Sequence, residues 1–300
     1  MSVSRLPLAV FYVINSTIGT IGNGLMIICY FKNPKLRFPC HIMITILCFC
    51  DILNLGGEFV FGLEVFWNVR TTQEDCYFIQ IVPVAGAVAA NPLILAIGID
   101  RLIAVSFPFR YRNVITRVKR YVAVMLTVPL VYTGLILFAG YQTRLEDDST
   151  ISLCSLPSGM NEFAFKLFTY SAIVIHIFVF SVYSAVFILL KTDKESAKFH
   201  KVFQSLAATV ALVLFGWATT TILNVLNDFL VTNLDYYEAI TLYSGIPVHV
   251  SLSSNVFIFY FINSEYRKTI RQILRLDNKD SSIMNITGKY VANMSANQIT

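Results

Sequence analysis

The chain is short of charge. Only 14% of its 300 residues are Asp, Glu, Lys or Arg, and 56% are hydrophobic. An ordinary soluble domain carries about a quarter charged residues, so this chain cannot cover a water-facing surface. Histidine is also scarce, with four in all. No His-x-x-x-His or Gly-x-Ser-x-Gly run occurs, and His176 and His249 are too sparse for a convergent catalytic or metal set. Of the six cysteines, Cys48-Phe-Cys50 is too tight a pair for a zinc knuckle. These absences argue against an enzyme, a resident cofactor and a nucleic-acid partner. No cleavable leader is expected either. The first apolar run, from about Leu6 to Tyr30, exceeds a signal core of roughly 7–15 residues and lacks a small-residue cleavage site.

What is present are long apolar runs of the length that crosses a bilayer as helix. Seven spans are expected, at about 7–31, 41–66, 77–105, 120–141, 165–190, 202–227 and 237–262. Lys and Arg concentrate in the first, third and fifth loops and the tail, as in Lys35, Arg37, Arg110, Arg112, Lys119, Lys191, Lys194, Lys198 and Lys201. Only Arg5, Arg70, Arg144 and Lys166 fall on the opposite side. Basic loops are retained in the cytoplasm, so the N-terminus is expected outside and the C-terminus inside, in the plasma membrane. The sequons at Asn285 and Asn293 are then cytoplasmic and bare.

Ionisable groups within spans cost about 2.5–3.5 kcal/mol each on insertion scales, so each is a candidate for function. Asp51, Glu58 and Glu64 lie in the second span, Asp100-Arg101 near the end of the third, His176 in the fifth and His249 in the seventh. Asp51 sits near mid-span. It either cements neighbouring helices or centres a polar cluster with Asn23, Ser251, Ser254, Asn255 and Trp217. Asp100-Arg101 reads as snorkelling charges or as a switch in which the carboxylate holds the guanidinium until a partner arrives.

Over residues 8 to 276 the sequence resembles the rhodopsin-like G-protein-coupled receptors. The resemblance is carried by Gly22-Asn23, Asp51, Cys76 placed 25 residues before Arg101, Asp100-Arg101-Leu102 with Pro108, Tyr183, Trp217, and Asn255-Val256-Phe257-Ile258-Phe259 followed by Tyr266-Arg267. Within that superfamily, Lys35-Leu36-Arg37-Phe38-Pro39-Cys40, Ile97 to Leu102 and Gly216-Trp217 look like the nematode serpentine chemoreceptors of the Srsx class. The resemblance implies an all-α membrane protein, a seven-helix bundle with a short amphipathic eighth helix. It implies a disulfide between Cys76 and Cys154, a switch core at Asn23, Asp51, Trp217, Ser251 and Asn255, and coupling to a heterotrimeric G protein through Asp100, Arg101, Pro108, Phe109 and Tyr183. The family's sodium site would be weak at Asp51, because Ala90 stands where serine is usual. A ligand pocket is expected among the outer halves of the spans, with Glu58, Glu64, His176, Asn224 and His249 as candidate lining. The expected activity is chemosensory signalling; reception of a peptide or small transmitter is the near alternative.

Several positions depart from the family pattern. Leu102 replaces a tyrosine, Val256 a proline, Phe259 a tyrosine and Thr219 a proline. The fourth span lacks its tryptophan and the fifth its proline. A transporter is the alternative of another class, but Pro83, Pro92, Pro129 and Pro247 show none of the symmetry of inverted repeats. A retinal receptor needs a seventh-span lysine, which is absent, and an inverted ligand-gated channel needs the opposite charge bias. Residues 1–276 are thus expected to form the receptor domain. Tyr266, Ile270, Ile273 and Leu274 recur at helical spacing, so 265–276 is expected to lie on the inner leaflet, apolar face in lipid and Arg267, Lys268, Arg271 and Arg275 toward headgroups. Residues 277–300 are expected to be a disordered polar tail.

Overall fold

The computed structural model describes residues 5–144, 153–192, 197–231 and 234–276. The tail with Asn285 and Asn293, the acidic triplet Glu146 to Asp148 and Lys194 lie outside them, as do the side chains of Lys198 and Lys201. Among the described residues, seven helical stretches are long and apolar enough to cross a membrane. They are built from α1 (Leu6–Lys32), α2 (Pro39–Trp67), α3 (Gln73–Ser106), α5 (Val118–Thr143), α6 (Leu156–Thr192), α7 (Ala197–Leu230) and the run α8 (Leu234–Ser244), α9 (Ile246–Ser253) and α10 (Asn255–Ile262). Two short helices, α4 (Pro108–Ile115) and α11 (Ser264–Ile273), lie outside the spans. The chain is a multi-pass membrane protein.

The first helix shows how the bundle sorts its faces. Ala9, Tyr12, Ser16, Gly19, Asn23 and Met26 are buried, three or four residues apart, while Val10, Ile14, Ile18, Ile21 and Ile28 stay exposed. In water that outer stripe would be a liability; in hydrocarbon it is the ordinary surface. α3 is the axis. In its most apolar window 72% of residues are buried, against 22% in α5 and in α6. Gly86 lets α2 press against it, since a Cβ there would fall 2.4 Å from the Cys50 carbonyl oxygen.

Two spans differ from their expected form. The fifth is preceded by extra helix from Leu156, broken at Asn161, whose φ of 62° is non-helical. The Asn161 amide donates to the Thr143 carbonyl (3.0 Å), and its Oδ1 accepts from the Phe163 N–H (3.2 Å), so the break is satisfied locally. The seventh is divided at Gly245 and Ser254. Pro247 brings no N–H to the first turn of α9. Below it the serine hydroxyls compete for backbone acceptors, Ser251 donating to Val248 O and Ser254 to Ser251 O, both at 2.6 Å.

α11 differs in what its apolar face touches. Tyr266 and Ile270 are buried inside the bundle rather than turned to lipid. Tyr266 packs edge-on to Phe259 (4.9 Å) and meets His41 Nδ1 (3.2 Å), and burial raises its phenol well above the ordinary range. Asn263 caps the helix by accepting from the Glu265 and Tyr266 N–H groups. Leu274 and Leu276, just past its end, are exposed.

Candidate functional site

Three features lie in sequence along the bundle. At one end Cys76, on α3, is bonded to Cys154. The Cys154 N–H donates to Glu64, which also accepts from Thr71 Oγ1 (3.0 Å). Glu64 is thereby a strut for the segment after α5. It does not line the cavity beneath, because both its acceptor contacts point at the loop.

That cavity holds about 80 Å³. Ser155, Leu156 and Pro157, just past the disulfide, contribute to its wall, and Glu58, Asn224 and His249 line it together. Glu58 Oε1 and His249 Nε2 are 3.1 Å apart, and Tyr12 lies edge-on to the imidazole at 4.8 Å. His176 is placed deeper. Its Nε2 meets Asn91 Oδ1 at 3.1 Å and its ring lies 5.7 Å from that of Trp217, so its Nε2 is engaged by α3.

Trp217 lines this cavity and also a smaller one beneath it, of about 20 Å³. That is room for about one water. Asp51, Asn54, Ala90, Asn91 and Asn255 are in its wall. Asn255 Nδ2 donates to Asp51 Oδ2 (2.7 Å) and to Asn23 Oδ1 (3.1 Å), and Asn23 Nδ2 donates to the Leu252 carbonyl (3.1 Å). α1, α2 and α10 are therefore tied at one depth. Ser251 is buried nearby, but its hydroxyl is used within α9.

At the far end Asp100 and Arg101 are almost wholly buried. Arg101 Nη2 and Nε both donate to Asp100 Oδ2, Nε at 2.9 Å. Tyr111, on α4, closes the set: its hydroxyl donates to Asp100 Oδ1 (3.0 Å) and accepts from Arg101 Nη2 (3.0 Å). Burial pushes the Tyr111 phenol above its ordinary value, which keeps that donor protonated. Tyr183 is buried one layer in, stacked on Phe203 at 6.1 Å. Gly98 makes space for it, since a Cβ there would lie 2.7 Å from the Tyr183 ring. Phe109, next to Pro108 at the start of α4, is 82% exposed.

Sequence reasoning missed Tyr111, Tyr12, Asn54 and Asn91. A tyrosine three residues past Pro108 carries no signal until α4 folds back beneath α3. The asparagines lie on buried stripes of α2 and α3 and were a readable signal, being polar groups within spans.

The comparisons fit this architecture. Over 278 residues the chain is 24% identical to the adenosine receptor A3 of Canis lupus familiaris, covering 85% of this chain and 86% of that receptor. Shorter stretches match the dopamine receptor 3 of Caenorhabditis elegans, 29% identical over 110 residues, and the neuromedin-U receptor 1 of Mus musculus, 24% over 115. Those stretches cover 36% and 37% of this chain, and only 18% and 27% of the respective receptors. A sequence profile described as "Serpentine type 7TM GPCR chemoreceptor Srsx" matches residues 16–274. With that profile matching most of the chain and reaching into all seven membrane-length stretches, the chain belongs to the serpentine Srsx chemoreceptors, a family of G-protein-coupled receptors and not of enzymes.

Proposed function

We propose that this chain is a plasma-membrane chemoreceptor that binds a small extracellular ligand above Trp217 and activates a heterotrimeric G protein at the Arg101 end. The observation that carries the reading is the shared wall. Trp217 borders the upper cavity, which Glu58, Asn224 and His249 line, and the Asp51–Asn255 cavity below it. A ligand that displaces the indole therefore reaches the contacts that tie α1, α2 and α10. Two helix arrangements biased by such a ligand are what a receptor requires. The disulfide end faces outward in this reading and the basic end faces the cytoplasm, in line with the Lys/Arg bias.

The lower cavity suits water better than sodium. Ala90 supplies no oxygen, and the Asn255 amide already donates to Asp51 Oδ2. Asp51→Asn keeps the shape and replaces the carboxyl that accepts from Asn255 with an amide. It should lower agonist-stimulated exchange while surface expression stays near wild type, measured by surface labelling and nucleotide exchange on the same cells. Full efficacy in that variant removes Asp51 from the switch.

Phe109 is the proposed contact for the partner. An exposed aromatic beside Arg110 and Arg112 suits an apolar pocket on a G protein, and hot spots of this kind carry about 2 kcal/mol or more. Purified receptor in nanodiscs should catalyse nucleotide exchange on a heterotrimer, and Phe109→Ala should reduce the rate about tenfold or more. No receptor-dependent exchange with any heterotrimer class would overturn the reading.

A further inference from the structure

The upper cavity shows which ligand chemistry it lacks. Its hydroxyls are already engaged. Tyr12 donates to Leu242 O (2.7 Å), Thr220 to Ser244 O (2.6 Å), Thr241 to Tyr237 O (3.0 Å) and Ser244 to Asn224 Oδ1 (2.9 Å), while Ser155 pairs with Ser158 (3.0 Å). Two buried atoms in the same lining have no partner, Asn54 Oδ1 and His249 Nδ1. Asn54 is 5% exposed and His249 8%, so bulk water does not satisfy them. The first is an acceptor by its chemistry. The second is an acceptor in the tautomer whose Nε2–H donates to Glu58 Oε1, 3.1 Å away.

Charge points the same way. Glu58 faces a cavity whose lining, among the described residues, includes neither lysine nor arginine, and its Oε1 meets His249 Nε2 at 3.1 Å. The rest of the wall is largely apolar, with Phe61, Phe165 and Trp217 as aromatic faces. Two unpartnered acceptors, one acidic side chain and aromatic walls together suit a cation that brings its own N–H groups.

We infer that the ligand class of this cavity is a small protonated amine with an apolar or aromatic body, its ammonium held by Glu58 and its N–H groups satisfying Asn54 and His249. The inference rests on the reading of the Trp217-walled cavity as the ligand site. Recognition comes from α2 and α9, with Asn54 and Glu58 four residues apart on one face of α2.

The test uses the full-length receptor, purified in nanodiscs, with three probes of matched size: 2-phenylethylamine, 2-phenylethanol and phenylacetate. Binding is read as the rise in thermal unfolding temperature across a concentration series. The amine should stabilise the wild type, with the alcohol and the acid weaker by about 10- to 100-fold. Glu58→Gln should remove the amine's advantage over the alcohol, and Glu58→Asp should retain it. His249→Gln is the second variant, in case Glu58→Gln does not fold, and should weaken the amine at least severalfold. Stabilisation by the acid, equal stabilisation by all three probes, or none by the amine overturns the ligand class. Receptor-dependent nucleotide exchange on the same preparations separates the two readings. Exchange without amine preference leaves the receptor assignment and removes the amine. Amine preference without exchange does the reverse.

Discussion

Arg101→Ala is expected to bring G-protein nucleotide exchange down to the rate of the heterotrimer alone, at unchanged surface density and ligand binding. Arg101 touches neither cavity, so ligand affinity has no reason to change. What it loses is the guanidinium that both Asp100 and Tyr111 hold. Asp100→Asn should act in the opposite direction. It removes the carboxylate charge that faces the buried Arg101 guanidinium. Breaking one side of a buried pair costs about 3–5 kcal/mol, and the cost falls on the closed arrangement, since an open one gives Arg101 to water. Even half of that loss shifts the closed–open equilibrium by about tenfold or more. Ligand-free exchange should rise accordingly. Undiminished exchange in Arg101→Ala, or silence in Asp100→Asn with normal folding, would show that coupling takes another route.

Cys76→Ser is the second large effect. The bond it removes closes a loop of 78 residues, for which chain entropy gives about 4.5 kcal/mol. The loss reaches the ligand site as well, because Ser155, Leu156 and Pro157 are positioned directly after Cys154. Thermal unfolding should fall and amine-dependent stabilisation should disappear together. The four remaining cysteines are buried and free, so they offer no ready substitute. Alkylation of both Cys76 and Cys154 in unreduced wild-type protein would refute the bond itself.

The seven spans were legible because hydropathy is a one-dimensional signal, and the bilayer sets its length. The division of the seventh was not. Whether Gly245 and Ser254 break a helix depends on which carbonyls the serine hydroxyls capture, and that is decided by packing. At the candidate site, lipid cost singled out Glu58, Glu64, His176 and His249 alike. It states that a charge or imidazole within a span needs a partner and is silent on which one. The structure resolves the ambiguity: Glu58 and His249 pair in the cavity wall, Glu64 is taken by the Cys154 backbone and His176 by Asn91. Tyr266 and Ile270 show the same limit on α11. Their spacing announced an apolar face, and the bundle claimed it before lipid could.

Trp217 is a partition between two rooms of unequal size, about 80 and 20 Å³. A side chain in that position responds to displaced volume rather than to charge. Two amines that grip Glu58 equally well can therefore differ wholly in outcome. One long enough to press the indole downward takes the space beside Asp51, whereas a shorter one leaves the partition where it stands. If the proposed amine site holds, efficacy should follow the reach of the ligand's apolar body, and affinity its ammonium. Lengthening a tight-binding amine by single methylene steps should turn a silent occupant into an activator at a definite length.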